Sequence, residues 1–117
     1  MREIEFRAWL KKEKKMVKVK AIDFIEEEIR AGGNWYSFED IELMQYTSIT
    51  DMNLKKIFEG YIVKFEDMIY KIVYDSDECH FKLVDKSGVS RFLGSWRSHN
   101  MEVIGNIYEN KELLENV

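Results

Sequence analysis

The amino-acid sequence predicts a single, mainly β domain built as a small barrel or sandwich. In most of the short apolar runs, apolar residues recur at every second position, the period of a strand with one buried face. Clusters of turn formers such as "DSDE", "KSG" and "SHN" separate these runs at short intervals. The 117 residues, 45 % of them apolar, suffice for one core. Short strands, frequent reversals and one core together favour an all-β fold.

The first twenty or so residues are predicted to form a β-hairpin. In "REIEFRAWL", Ile4, Phe6 and Ala8 alternate with charged residues, as expected for a strand with one solvated face. The lysine-rich "KKEKK" is the predicted turn, and "MVKVKAIDF" alternates apolar residues with lysines on the returning strand. The basic residues therefore fall on the solvated side and at the tip.

The segment "DFIEEEIRAGG" permits two interpretations. As a short helix, it has Asp23 as N-cap and Gly32 in the left-handed position beyond the C-terminus. As a hairpin, it joins strand-like flanks, and "GGN" reverses the chain into "WYSF". A helix of one or two turns is marginal without strong packing, which favours the hairpin.

The middle of the chain predicts two strands joined through a loop and a glycine bend. "IELMQYT" is a strand-like run, "SITDMN" is rich in turn formers, and "KIFEGYIVKF" restarts a strand. Gly60 precedes the Ile-Val run, where a bend or bulge opening a barrel strand requires a conformation that a side chain obstructs. We therefore expect Gly60 to have positive φ or to let another backbone segment approach closely.

The rest of the chain predicts further strands and a short C-terminal element. The strands are expected at "MIYKIVYD", "HFKLVDK", "SRFLGSW" and "MEVIGNIY". The final "ENKELLENV" is expected to form a short helix or a tail, with Asn110 as a candidate cap. The predicted layout has N-terminal hairpins in 1–47, a barrel-like core in 48–108 and the short helix or tail in 109–117.

The net charge of −4 is unevenly distributed along the chain. Residues 1–20 hold eight basic and three acidic residues (+5), residues 21–47 hold one and seven (−6), and the remainder holds nine and twelve (−3). Two solvated faces that partly neutralise each other are favoured over an arm that binds polyanions.

The composition indicates a protein of the cytoplasm. The start "MREIEFRAWLKKEKK" carries charges where a signal peptide would be apolar, and no run reaches membrane-spanning length. The single cysteine, Cys79, excludes an internal disulfide and fits a reducing compartment.

No set of residues predicts catalysis, a cofactor or a metal site. Cys79 and His80 are adjacent on a predicted strand and so face opposite sides, which separates a nucleophile from a base; a buried cysteine and an exposed histidine are expected. Two histidines and one cysteine are too few for a structural zinc site without carboxylates or a second chain. The "DSDE" turn has oxygens that suit calcium, but a solvated hairpin turn is the stronger interpretation. We expect no enzyme activity.

Two surfaces are candidates for binding. The first consists of aromatic residues suited to a protein partner or a second copy of the chain: Trp9, Trp35 and Tyr61. The second lies in "KSGVSRFLGSWRSHN", where cations and aromatic residues interleave as in grooves for single-stranded nucleic acid. Its candidate residues, together with the basic N-terminal hairpin, are Lys86, Arg91, Trp96 and Arg97. Phe92 and Trp96 share strand parity, so a core face explains these aromatic residues as well, and this structural interpretation is favoured.

Three blocks of the sequence resemble the signature blocks of the YopX family, small proteins encoded by bacteriophages and prophages. They are "REIEFRAWLKKEKKMV", "LMQYTSITDMNLKKIFEGYIVKF" and "EVIGNIYENKELLE", in the family's order and spacing. The resemblance implies an all-β fold with an SH3-like barrel and points to no particular activity. We expect a phage or prophage accessory protein that acts as a non-enzymatic binding or assembly module; the alternative is a nucleic-acid-binding accessory factor.

The middle block departs from the family pattern at three positions. Ser48 and Leu54 stand where the family usually has glycine, and Tyr61 replaces an aspartate. Because leucine resists the positive φ of a tight Asn-Gly turn, a wider loop is expected between Asp51 and Lys55. No family role of the replaced carboxylate carries over to Tyr61, which is either a packing residue or an exposed contact.

Overall fold

The computed structural model describes residues 2–115, apart from the side chains of residues 95–97. Strands dominate, which confirms the mainly β class, and the antiparallel sheets are curled. The chain divides into two compact units, Met1–Tyr46 and Thr47–Val117. None of the helices in the described part of the chain has the length and apolar character needed to cross a membrane.

The first unit contains strands of two antiparallel sheets. In one, β1 (Phe6–Leu10) lies between β2 (Lys15–Lys18) and β6 (Ile41–Thr50). The other has the order β3 (Ala21–Asp23), β4 (Glu28–Ala31) and β5 (Asn34–Ser37). A short 3-10 helix, Phe38–Asp40, precedes β6. The buried cluster of this unit consists of Ala8, Leu10, Ile29, Ala31 and Ile41.

The segment "DFIEEEIRAGG" forms a hairpin, which confirms the favoured interpretation. Asp23 on β3 lies opposite Glu28 on β4. The following turn contains Gly32 and Gly33, whose φ values of 56° and 82° suit glycine. A helix would place Ile25 and Ile29 on the same packed face. Ile29 is fully buried whereas Ile25 is 91 % exposed, which agrees with a strand and turn and not with a helix.

The expectation of one continuous strand through "MVKVKAIDF" is wrong. The Val19 N–H donates to the Phe6 carbonyl at 3.1 Å, whereas the next N–H, of Lys20, donates to the Arg30 carbonyl at 2.8 Å. The chain therefore changes its partner strand between these two residues and enters a different sheet. Alternation alone does not show such a change, because the period of two continues on both sides.

The second unit contains a five-stranded antiparallel sheet of order β11–β10–β9–β8–β12. Its strands are β8 (Tyr61–Phe65), β9 (Met68–Asp75), β10 (His80–Val84), β11 (Ser90–Phe92) and β12 (Met101–Asn106). Strand β7 (Lys56–Phe58) pairs with β6, and Thr47 on β6 donates its hydroxyl to the Ile57 carbonyl at 2.8 Å. The expected C-terminal helix is present as α1 (Glu112–Glu115).

Two predicted boundaries shift. Strand β6 continues to Thr50, into the predicted "SITDMN" loop. The predicted strand "SRFLGSW" is a strand only at Ser90–Phe92, and a 3-10 helix occupies Ser95–Asn100.

The predicted wide loop at Asp51–Lys55 is also wrong. Leu54 adopts a φ of 64°, and its N–H donates to the Asp51 carbonyl at 3.0 Å. The Asp51 N–H in turn donates to the Lys55 carbonyl at 2.8 Å, so the loop closes tightly. The chain tolerates the left-handed conformation at Leu54 instead of widening the loop.

Candidate binding surfaces

The most exposed large apolar side chains described in the first unit lie in the turn between β3 and β4. Phe24 is 75 % exposed and Ile25 is 91 % exposed. Solvated turns usually carry Gly, Asn, Asp or Ser at such positions. We call residues 23–28 the acidic turn, because all other side chains in it are carboxylic acids: Asp23, Glu26, Glu27 and Glu28.

Asp23 holds the acidic turn in its conformation. Its Oδ1 accepts hydrogen bonds from the backbone N–H groups of Ile25 and Glu26, each at 3.0 Å. The ring of Phe24 contacts Phe38 edge-on, with 6.3 Å between ring centroids. The turn is therefore ordered by its own acid, and its apolar side chains remain open to a partner.

Trp35, one of the predicted contact residues, lies on the outer face of the same three-stranded sheet. It is 49 % exposed and stands opposite Arg30 in the strand register. The Arg30 Cζ atom is 6.0 Å from the ring centroid, at the outer limit of a cation–π contact. Because the neighbouring Ile29 is buried, the sheet has one packed and one solvated face.

Trp9, a second predicted contact residue, is half-buried on β1 and lies directly opposite Met16 on β2. We call the β1–β2 pair with its turn and following link, residues 6–20, the basic hairpin. All six of its lysines are exposed, among them Lys14, Lys15, Lys18 and Lys20. The other two lysines reach acids of the same unit, Lys11 to Glu42 at 3.4 Å and Lys12 to Asp40 at 3.9 Å.

Tyr61 is a packing residue. Only 5 % of its surface is exposed, and its ring lies 5.4 Å from that of Phe58, centroid to centroid. An exposed contact through this ring is thus inconsistent with its burial. The preceding Gly60 has a φ of 84°, the conformation expected at the bend before β8. Its N–H donates to Ile72 and its carbonyl accepts from Ile107, at 2.8 and 2.9 Å.

The predicted nucleic-acid segment contains one cation that is already paired. The Arg91 guanidinium is 3.3 Å from the Glu66 carboxylate and 6.0 Å from the centroid of the Tyr70 ring. Phe92 is 49 % exposed and contacts the His80 ring, so the expectation that Phe92 belongs to a core face is wrong. The side chains of Trp96 and Arg97 lie outside the described residues.

Lys86 is exposed beside a cleft of about 300 Å³ in the second unit. The cleft is also lined by Lys71, Asp85 and Leu114. Asp85 Oδ1 accepts from the Ser87 hydroxyl at 2.8 Å and from the Val89 N–H at 3.0 Å. The Ser87 hydroxyl is the main cause of a lowered pKa at Asp85, partly offset by burial. Because these bonds order the turn after β10, Asp85 is a structural carboxylate at the edge of the cleft.

Cys79 and His80 both differ in exposure from what was expected. Cys79 is exposed at the end of the turn before β10, with a φ of 59°. The His80 side chain is 23 % exposed and its Nδ1 is 2.9 Å from the Phe81 carbonyl oxygen. The turn explains the difference: Cys79 precedes the strand, so strand alternation does not fix its direction.

Three potential ligand groups meet beside this turn. Atoms of Asp75, Glu78 and His80 lie within 4.8 Å of one another, and His80 Nε2 is 3.8 Å from Glu78 Oε2. The Lys82 ammonium, however, donates to Asp75 Oδ2 at 3.0 Å. Asp75 Oδ1 accepts from the Asp77 N–H at 2.9 Å. A divalent cation here would have to compete with the ammonium group of Lys82 for the Asp75 carboxylate.

Sequence reasoning missed the acidic turn as a surface, although the signal was present. Phe24 and Ile25 follow Asp23 and precede three glutamates, so an Asx turn leaves two apolar residues at a tip where polar residues are usual. The helical alternative for this segment obscured the signal, because it placed Ile25 on a packed face.

Comparisons with known proteins agree with this architecture. A family model described as "YopX protein" matches residues 5–115. The crystal structure of protein EF1440 from Enterococcus faecalis is similar, with a TM-score of 0.68 and 25 % sequence identity, covering 97 % of this chain and 99 % of that chain. No curated protein matches this sequence.

Proposed function

The chain belongs to the YopX family, and we propose that it is a non-enzymatic protein-binding or assembly module of a bacteriophage or prophage. The observation that carries the proposal is the exposed apolar pair Phe24 and Ile25 at the tip of the acidic turn. Contiguous apolar surface rimmed by polar groups is typical of interaction sites on proteins. A binding role gives a reason for apolar side chains at a position that otherwise favours polar ones.

The acidic turn is suited to binding because it is ordered before a partner arrives. The two hydrogen bonds to Asp23 Oδ1 fix the backbone on either side of Ile25. A pre-ordered loop loses less conformational entropy on association than a mobile one. Trp35 adds exposed aromatic surface on the same sheet, and aromatic residues are enriched at interaction sites.

The non-enzymatic part of the proposal is supported by the chemistry around Cys79 and His80. The Cys79 thiol contacts the Ser76 carbonyl at 3.6 Å within its own turn, whereas the His80 ring contacts Phe92. The carboxylate that could orient a base, Asp75, is engaged by Lys82. This arrangement favours a structural turn over a nucleophile activated by a base.

The bacterial cytoplasm is the proposed site of action. The family's phage or prophage origin supports a site inside the host cell. The exposed thiol of Cys79 also suits a reducing compartment, where free thiols persist.

The proposal is tested by capture from host-cell lysate with the tagged chain. The double variant Phe24→Ser, Ile25→Ser is compared with the wild type and with Val89→Ser, which removes an exposed apolar side chain in the second unit. Proteins retained by the wild type and the control, but lost from the double variant, support the proposal. Equal retention by all three contradicts it, provided that circular dichroism shows the variants folded.

The nucleic-acid alternative has weaker support. Exposed Lys86 and Phe92 match the interleaved cations and aromatic residues of single-strand grooves. Arg91 is already neutralised by Glu66, which reduces the charge that is free to attract phosphates.

A further inference from the structure

We propose that the partner is a second copy of this chain, with the acidic turn of one copy docked on the basic hairpin of the next. This inference rests on the proposed function and gives it a specific partner. The two surfaces are complementary in charge and in apolar character, and both lie in the first unit.

Several charged side chains of both surfaces have no ion-pair partner among residues 2–115. Among the described residues, no ion pair joins Glu26, Glu27 or Glu28 to a cation. The same holds, within residues 2–115, for four of the six lysines of the basic hairpin: Lys14, Lys15, Lys18 and Lys20. Lys11 and Lys12 of the hairpin instead form ion pairs with acids that follow β5 in the chain. Each surface therefore keeps its charge for a partner of opposite sign.

The basic hairpin also offers apolar surface for the tip of the acidic turn. Trp9 and Met16 form a cross-strand pair and are both half-buried. Lys18 lies two residues from Met16, on the same face of β2. Phe24 and Ile25 could pack on this pair while the adjacent glutamates approach the lysines. Specific interfaces usually have aromatic residues at their centre and polar or charged contacts at their rim.

The position of β2 favours an acidic occupant. Strand β2 is the outer strand of its sheet, with β1 as its neighbour. Lys15 and Lys18 are exposed and oppose non-specific pairing of this edge with the edge strand of another copy, because the lysines of the two copies would repel one another. A partner that brings carboxylates removes that repulsion, and the acidic turn brings three glutamates together.

The contact would be head-to-tail, because the two surfaces differ. Each copy then has one acidic turn and one basic hairpin to offer, and association continues until a ring closes or an open chain forms. Mass should rise with protein concentration and fall with salt, since the screening length drops from roughly 10 Å at 0.1 M to 3 Å at 1 M.

The test is a pair of complementary charge reversals, measured by sedimentation velocity over a concentration series. One variant carries Glu26→Lys and Glu27→Lys; the other carries Lys18→Glu and Lys20→Glu. Each alone should associate at least about tenfold more weakly than the wild type. A mixture of the two should associate again, because the unchanged acidic turn of the second variant can then dock on the unchanged basic hairpin of the first.

Matched controls separate surface charge from net charge. Glu112→Lys with Glu115→Lys, and Lys55→Glu with Lys111→Glu, make the same changes in net charge at exposed positions of the second unit. These controls should associate like the wild type. The apolar contribution is tested by Phe24→Ser with Ile25→Ser, which should weaken association without altering the fold.

A wild-type chain that stays monomeric at low salt overturns the inference, as does a mixture that fails to associate when the wild type does. Controls that lose association as the reversal variants do also overturn it. Failure here is distinguishable from failure of the proposed function: a monomeric chain that still captures a host protein through Phe24 and Ile25 has a different partner.

Discussion

Ser48 and Leu54 have left-handed backbone conformations, which usually favour glycine. Their φ values are 73° and 64°, and both side chains are exposed. The left-handed conformation costs an L-residue roughly 1–2 kcal/mol because Cβ crowds the following carbonyl. Since an exposed side chain gains little from packing, this cost is poorly compensated.

We expect Leu54→Gly to stabilise the protein. Removing Cβ relieves the backbone strain at this position. The greater flexibility of glycine in the unfolded chain offsets part of this gain. The net result is an increase of about 0.5–1 kcal/mol in the free energy of unfolding. Urea denaturation measures this change. Leu54→Ala keeps Cβ and is the control, for which no gain is expected. A loss of stability on Leu54→Gly would show that the leucine side chain contributes through packing.

Gly60→Ala is expected to have the opposite effect. Gly60 has a φ of 84° and is anchored by two backbone hydrogen bonds, to Ile72 and Ile107. The bend cannot relax without losing these bonds, so the added Cβ should lower the free energy of unfolding by about 1 kcal/mol or more. Thermal unfolding followed by circular dichroism measures the loss. An unchanged midpoint would mean that the bend adjusts freely.

The requirement for a bend at Gly60 could be predicted from sequence, because glycine before an apolar strand has a local backbone cause. The environment of Tyr61 could not be, since it depends on the ring of Phe58 and on tertiary burial. Cys79 was misplaced for a related reason: strand alternation was applied to a residue that lies in the turn before the strand. Side-chain direction is predictable only inside a correctly bounded element.

At the scale of elements, one buried carboxylate ties the loop after β6 to β12. Asp51 is 4 % exposed. Its Oδ1 accepts from the N–H groups of Asn53 and Lys55, each at 2.9 Å, and its Oδ2 accepts from the N–H of Val103 at 2.9 Å. Three backbone donors from two segments therefore depend on one side chain.

Asp51→Ala should destabilise the second unit by about 2 kcal/mol or more, because buried donors lose a charged acceptor. Asp51→Asn retains one acceptor oxygen and should cost less. Chemical denaturation compares the two variants, and hydrogen exchange at Val103 reports the local effect. Equal stability of Asp51→Ala and the wild type would show that water replaces the carboxylate.

The turn between β9 and β10 has a carboxylate whose titration can be followed. The hydrogen bond from Lys82, followed by that from the Glu78 N–H, lowers the pKa of Asp75 below its ordinary value of 3.8. A depressed pKa stabilises the folded state above pH 3.8, and this stabilisation is lost as pH falls through the lower folded value.

Lys82→Met should raise the pKa of Asp75 toward its ordinary value, because the largest cause of the depression is removed. NMR titration of the Asp75 carboxyl measures the shift directly. The acid-induced loss of stability should also become shallower below pH 4. Lys86→Met, on an exposed lysine outside this turn, is the control and should leave Asp75 unchanged. If the pKa of Asp75 is unchanged in Lys82→Met, the hydrogen bonds from backbone N–H groups are the main cause of its depression.

Secondary-structure elements could be predicted where the local sequence pattern determines them. They could not be predicted where a strand changes the strand with which it pairs. The hairpin at Ala21–Ala31 follows from turn chemistry and strand period. The switch between Val19 and Lys20 depends on hydrogen bonds to Phe6 and Arg30, which are distant in sequence. The 3-10 helix at Ser95–Asn100 likewise replaced part of a predicted strand without a strong local signal.

At the scale of the whole molecule, charge is arranged by segment, and two of the cations in the second unit are paired with acids. Arg91 pairs with Glu66 at 3.3 Å, and Lys82 pairs with Asp75 at 3.0 Å. With a net charge of −4, the chain carries little excess positive potential for a polyanion. The uneven distribution was readable from sequence, whereas these pairings required the folded register.

We therefore expect weak binding of single-stranded DNA at physiological salt. Affinity for nucleic acid arises mainly from phosphates neutralised by free cations, and it falls steeply as salt rises. Fluorescence anisotropy with a labelled oligonucleotide at about 0.05 M and about 0.2 M salt measures both affinity and salt dependence. Glu66→Gln releases Arg91 and should strengthen any binding through this segment, whereas Lys86→Gln should weaken it. The contrary result would be tight binding by the wild type that weakens steeply with salt and is lost in Lys86→Gln and Phe92→Ser. It would support the nucleic-acid function, because such binding would require the exposed cation and the exposed ring to act together.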